Sequence, residues 1–283
     1  MRNLNQRLDI CSINTATLGH NQPIVKTIDA VARAGFGYIA PWRKEVEAAN
    51  IHEVARQLRA LNLKLSGYVR STFFTSGSPA QFASSIEDNK KALDQAAELG
   101  APSLIVVGGG LPSGSRSLAD ARKLYVEGTA QLWDYAKTVG VGITLEPLHP
   151  MYAAERSCVV TLDDALDICH EIDPDQTGSL GVAIDVYHCW WDRHLSSHIE
   201  RAGRERRINA FHVSDWLTPT QDMLLDRGMM GDGVIDLKGI REQVEAVGYV
   251  GAVEVEIFSE NDWWQRDAQE TLRICAERLQ TVC

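Results

Sequence analysis

A chain of 283 residues with 45% hydrophobic and 23% charged residues has enough material for one large buried core or two ordinary ones. Its formal net charge of −10 opposes a phosphate-backbone partner, which calls for a basic face, so nucleic-acid binding is excluded. No apolar run reaches membrane-spanning length, the opening MRNLNQRLDICS lacks the apolar stretch of a secretory signal, and the six cysteines form no CxxC pair; the expectation is a cytoplasmic protein with reduced thiols and no membrane partner.

Short runs rich in Val, Ile and Leu alternate with helical patterns from end to end. The predicted strands are 8–13, 36–41, 63–69, 102–108, 142–147, 181–186, 209–213 and 252–257. Predicted helices lie between them at 24–34, 52–61, 79–99, 118–139, 162–172 and 237–247, and a last helix over 264–279 closes the chain. Gly35, Gly100, Gly140 and Gly248 each follow a helical run and precede a strand, as C-terminal glycine caps do. Thr161, followed by Asp163 and Asp164, reads as an N-cap with acids in the first turn. Units of about 35 residues match the span of a (β/α)8 TIM barrel, α/β in class and a single domain over 1–283. The competing doubly wound sheet places a GxGxxG after its first strand, and CSINTATLG is not one.

Four polar residues end apolar runs in the second half: Glu146 after GITL, Asp185 after LGVAI, His212 after INAF and Glu256 after GAVEV. In a parallel barrel these positions open onto the carboxyl ends of the strands, where ligands bind. Singly, each is as well explained by a salt-bridged acid or a core histidine. Three carboxylates and one imidazole from four successive strands instead predict a divalent-metal site, suited first to Mn²⁺ and also to Mg²⁺, Co²⁺ or Zn²⁺. Glu254 shares the inward face with Glu256 by strand alternation; it is expected one layer deeper, beside a basic side chain. His149, three residues after Glu146, and Trp42, directly after the second strand, are expected to border the pocket and bind substrate. Trp42, Trp190, Trp191, Trp216, Trp263 and Trp264 fall near strand ends, where aromatic faces suit a sugar or cyclitol ring, pack loops, or form a homo-oligomer interface. The Gly-rich GGGLPSGS at 108–115 is a weak signal for a phosphate cradle.

The motifs LEPLHP (145–150), IDVYH (184–188), FHVSDW (211–216), DRGMMGDGVIDL (226–237) and VEVEIFS (253–259) carry a resemblance. The chain resembles the xylose-isomerase-like barrel superfamily, and most of all its sugar phosphate isomerase/epimerase group, which includes inosose isomerases and ketose 3-epimerases. The resemblance spans essentially the whole chain, with its specific motifs confined to 142–264. It implies a divalent ion on Glu146, Asp185, His212 and Glu256, and substrate contacts from His188 and Arg227; a helix-capping histidine and an ion pair of Arg227 with Asp226 or Asp232 are their structural alternatives. It also implies proton transfer beside a chelated carbonyl through an enediolate, with Glu146 and Glu256 as the acid/base pair. The implied activity is a metal-dependent isomerase or epimerase of a ketose, keto-sugar or inosose. Alternatives are a lyase of the same superfamily, such as a 3-dehydroshikimate dehydratase or a C-glycoside-cleaving enzyme, and a non-catalytic sugar-binding barrel. An endonuclease with additional metals is excluded because Asp226-Arg227-Gly228 supplies no histidine, and a Schiff-base aldolase because strands five to eight end in no lysine.

Overall fold

The computed structural model describes residues 1–177 and 179–283. In chain order, β1 (Cys11–Asn14) leads through a 3-10 turn to α1 (Ile24–Arg33), and β2 (Tyr38–Ala40) to α2 (Arg43–Glu47) and α3 (Ile51–Ala60). Next come β3 (Lys64–Leu65), β4 (Tyr68–Val69), α4 (Pro79–Leu99), β5 (Ser103–Val106), α5 (Leu118–Val139) and β6 (Gly142–Leu145). The second half continues with α6 (Leu162–Ile172), β7 (Leu180–Asp185), α7 (Val186–Cys189), α8 (Leu195–Arg204) and β8 (Ile208–Val213). A short antiparallel ribbon of β9 (Asp215–Trp216) and β10 (Arg227–Gly228) precedes α9 (Leu237–Ala246), β11 (Val253–Val255) and α10 (Ala268–Thr281).

The main sheet is parallel throughout, in the order β3-β2-β1-β11-β8-β7-β6-β5-β4. Its two ends, β3 and β4, are consecutive in sequence: they are one barrel strand interrupted at Ser66–Gly67. The ladder runs on across the break, since Ser66 N–H donates to Ile39 O and Val69 N–H to Pro41 O, each at 3.1 Å. The sheet thereby closes, and the architecture is a (β/α)8 TIM barrel.

Strand alternation sorts the side chains. Ile13, Leu104, Ile143, Val182, Phe211, Val253 and Val255 join the apolar layer between sheet and helices. The residues between them point into the barrel, and there the chain places Ser12, Asn14, Ser103, Thr144, His212 and Glu254, all buried. This polar interior is hydrogen-bonded, as buried polar groups require: Thr144 Oγ1 donates to Ser103 Oγ at 2.7 Å, and Ser12 Oγ lies 2.7 Å from Ser66 Oγ.

The expected caps are present. Gly100 and Gly140 end α4 and α5 with φ of +73° and +71°, and the Thr161 hydroxyl accepts from Asp164 N–H at 3.1 Å. Several boundaries differ from expectation for local reasons. Residues 8–10 form a 3-10 turn because the partner strands begin only at Val253 and Tyr38, leaving no ladder to join. The strand at 181–186 stops at Asp185, whose carboxylate accepts from Tyr187 N–H at 2.8 Å and caps α7. The closing helix starts at Ala268 rather than 264, because Asp267 accepts from Gln269 N–H and Glu270 N–H. No helix of the described residues is long and apolar enough to cross a membrane.

Candidate metal centre

Glu146 lies one residue past β6, Asp185 ends β7, His212 sits in β8, and Glu256 lies one residue past β11. Backbone ladders pin all four: Glu146 N–H donates to Val106 O and Glu256 N–H to Val213 O, each at 3.1 Å, while Asp185 is in register with His212. One candidate ligand atom from each residue lies within 4.8 Å of the others, and all four residues are buried. His212 Nδ1 stands 3.0 Å from Glu146 Oε1 and 4.0 Å from Glu256 Oε2.

The donor set fits a divalent ion on charge as well as geometry. Glu146, Asp185, Glu254 and Glu256 are four carboxylates buried together, and the cationic groups among them are Arg227 and His212. Uncompensated buried charge is costly, and a divalent cation is the compact way to balance it. With Nδ1 turned to the ligand cluster, the other ring nitrogen, Nε2, faces Glu254 Oε1 at 3.8 Å, the outer-shell arrangement that orients a ligating imidazole.

Burial governs the titration of the site. It pushes the Asp185 carboxyl up to about 6 against the pull of Arg227, and it raises Glu256 in the same way. Burial works against a charged His212, but Glu254, Glu146 and Glu256 together hold its pKa well above the usual imidazole range.

Beneath the cluster lies a second polar layer. Asn14 Nδ2 donates to both Glu254 Oε1 and Glu256 Oε1 at 2.9 Å, and Ser66 Oγ donates to Glu254 Oε2 at 2.7 Å. The basic partner expected for Glu254 is therefore the His212 imidazole, joined by an amide and a hydroxyl. Asn14 Oδ1 in turn accepts from the Trp42 indole N–H at 2.8 Å.

The chain belongs to a known family. Residues 28–277 match the model described as a xylose isomerase-like TIM barrel. This protein is a member of that family. An inosose isomerase of Halalkalibacterium halodurans is 24% identical over 273 residues, spanning 92% of this chain and 91% of that protein. A 2-oxo-tetronate isomerase of Haemophilus influenzae is 22% identical over 264 residues, spanning 89% of this chain and 97% of the other. Among solved structures, protein SMc04130 of Sinorhizobium meliloti 1021 superposes with a TM-score of 0.94 at 49% identity, covering 98% of this chain and 99% of that one.

In this xylose isomerase-like barrel the remaining expected site residues separate into two groups. Arg227, carried by β10, enters the cluster: its Nη1 lies 3.1 Å from both Asp185 Oδ2 and Glu256 Oε2, and the alternative of a surface pair with Asp226 or Asp232 is not the one formed. Its plane is clamped between Tyr187 and Phe258, 4.4 and 4.8 Å from the ring centroids. His188 is buried beside it, with its pKa well below the usual range through burial and then Arg227. The backbone N–H of His149 donates to His188 Nδ1 at 3.1 Å. On the other side of the ring, Nε2 lies 3.6 Å from Asp185 Oδ2 and 3.1 Å from Arg227 Nη2.

Trp42 lines the cleft over the cluster, together with Phe73, Leu148, Tyr152 and Phe258. His149 does not line it with its ring, which stacks on Trp216 at 5.0 Å; its contribution is the backbone N–H on His188. Trp190 packs on Trp216, and Trp264 donates its indole N–H to Ala16 O at 2.7 Å, so both serve loop packing. The glycines of the 108–115 loop answer to packing too: a Cβ on Gly109 would collide with Phe73, and one on Gly110 with the Ala154 backbone. Three residues that sequence reasoning missed join the site: Asn14, Arg70 and Arg156. Asn14 ends an apolar run as the four ligands do, which was a readable signal; the two arginines lie in loops without a motif.

Proposed function

We propose that this barrel is a divalent-metal-dependent isomerase or epimerase of a ketose, keto-sugar or inosose, and that residues 1–283 act as one catalytic unit. The observation that carries the reading is the convergence of Glu146, Asp185, His212 and Glu256 within 4.8 Å at the carboxyl end of the barrel. The curated relatives, an inosose isomerase and a 2-oxo-tetronate isomerase, support it. Those four residues would hold the ion, Mn²⁺ in first place with Mg²⁺, Co²⁺ or Zn²⁺ as alternatives, and a bound ion would supply Lewis-acid polarisation of a substrate carbonyl.

The chain's own groups do the rest. Glu146 and Glu256 sit on strands three places apart in the barrel order and approach a substrate held above the cluster from different sides. One removes the proton beside the carbonyl and the other returns it; a carboxyl raised by burial, as Glu256 is, matches that task near neutral pH. His188 contacts a substrate hydroxyl, and Arg227 balances negative charge developing on the substrate oxygens. Trp42 and Phe258 wall the cleft with aromatic faces that shed water from the reacting carbons.

The test is proton NMR in D₂O with metal-loaded protein against a panel of ketoses and inososes. Deuterium should enter at the carbon beside the carbonyl, and Glu146→Gln and Glu256→Gln should each slow that exchange about 10² to 10⁴-fold. Undiminished exchange in both variants would overturn the acid/base assignment.

A further inference from the structure

Three arginines line the cleft above the four converging ligands: Arg70, Arg156 and Arg227. Arg227 is neutralised by Asp185 and Glu256. Arg70 and Arg156 are different, since among the described residues neither has a carboxylate within 4.0 Å. By contrast Arg43, Arg201, Arg207 and Arg241 each pair with an Asp or Glu. In a chain of net charge −10, two half-buried arginines without an ion pair, in a cleft whose lining carboxylates are Glu146 and Glu256 of the cluster, call for a reason.

Both guanidinium groups lie over aromatic rings. The Arg70 guanidinium lies over Phe73, 4.5 Å from the ring centroid, and over Trp42 at 5.8 Å; Nη1 donates to Ser71 O at 3.2 Å. Arg156 lies over Tyr152 at 5.8 Å, and its guanidinium makes no hydrogen bond to protein among the described residues. The two feel each other. Arg70 is lowered to about 10 by burial first and by Arg156 next, with Glu146 pulling the other way. A like-charged pair of this kind is unfavourable by itself and becomes favourable when an anion lies between its members.

We infer that Arg70 and Arg156 form an oxyanion subsite, so that the substrate is a keto-sugar bearing a carboxylate or a phosphate. The inference rests on the functional reading above, which places the reacting carbonyl over the four ligands. Arg70 follows β4 and Arg156 lies between β6 and α6, so the anionic end of the substrate points toward that side of the barrel and away from Glu256.

Isothermal titration of the metal-loaded protein with D-fructose, D-fructose 6-phosphate and 5-keto-D-gluconate tests this without requiring turnover. At least one anionic probe should bind tenfold or more tightly than D-fructose, and which one does so separates phosphate from carboxylate. Arg70→Gln and Arg156→Gln should each erase most of that margin, with D-fructose binding falling far less than binding of the favoured anionic probe. If neither anionic probe outbinds D-fructose, or if the margin survives in both variants, the subsite is wrong. The wild-type comparison decides the matter even if a variant folds poorly. Absence of deuterium exchange would sink the isomerase reading alone, and an absent anionic margin would sink this subsite alone.

Discussion

Asn14 is a neutral residue whose four hydrogen-bonding positions are all taken. Its two amide hydrogens go to Glu254 and Glu256, and its oxygen accepts from Trp42 Nε1–H and from Ala16 N–H. The indole fixes which end of the amide is oxygen, so the group cannot flip, and Glu256 Oε1 is held while Oε2 is turned toward Arg227. Asn14 is therefore a positioning residue for the proposed acid/base. Asn14→Ala should lower kcat for deuterium exchange about 10 to 100-fold with KM little changed, the equivalent of one lost charge-assisted hydrogen bond. Asn14→Asp should be worse, because it sets a third carboxylate between two others. A kcat unaltered by either change would remove Asn14 from the mechanism.

The elements show what local sequence can and cannot specify. Helices 79–99, 118–139 and 162–172 were legible to the residue because their ends carry capping residues: Ser78, Ser117 and Thr161 accept from backbone N–H groups, and Gly100 and Gly140 adopt the left-handed conformation. Those caps make a direct prediction. Thr161→Ala and Gly140→Ala should each cost about 1 kcal/mol, read as lower urea midpoints at unchanged slope. The break at Ser66–Gly67 left a local mark in the Ser-Gly pair, but the short apolar flanks read as one strand and only the closing ladder reveals two half-strands. The β9–β10 ribbon, two residues on each side, is too short to leave a period. α8 did leave one, in the buried Leu195, Ile199 and Ala202, but its otherwise polar composition masked it. The four proposed ligands were legible because each ends an apolar run. Arg70 and Arg156 were not, because their meaning lies in the acids that the fold keeps away from them.

For the whole molecule, the buried carboxylates should tie stability to the proposed ion. Protein stripped with a chelator should melt lower than protein at 100-fold excess of divalent ion over its dissociation constant. Linkage sets the gain at about 2.7 kcal/mol, or roughly 5 °C for a chain of this size. Scanning calorimetry with and without Mn²⁺ checks it, and coincident melts would count against a metal centre. The closed order of the sheet carries one more consequence. β6, β7, β8 and β11 are neighbours, so the proposed ligands occupy one continuous arc, while β1, β2 and β4 on the other arc present or lead into Asn14, Trp42 and Arg70. Arg156 and His188 reach the cleft from the ligand arc, so both arcs contribute to its walls. Under the proposed function, exchanging the loops that follow β2 and β4 would change what the cleft admits while leaving the four proposed ligands on their own strands.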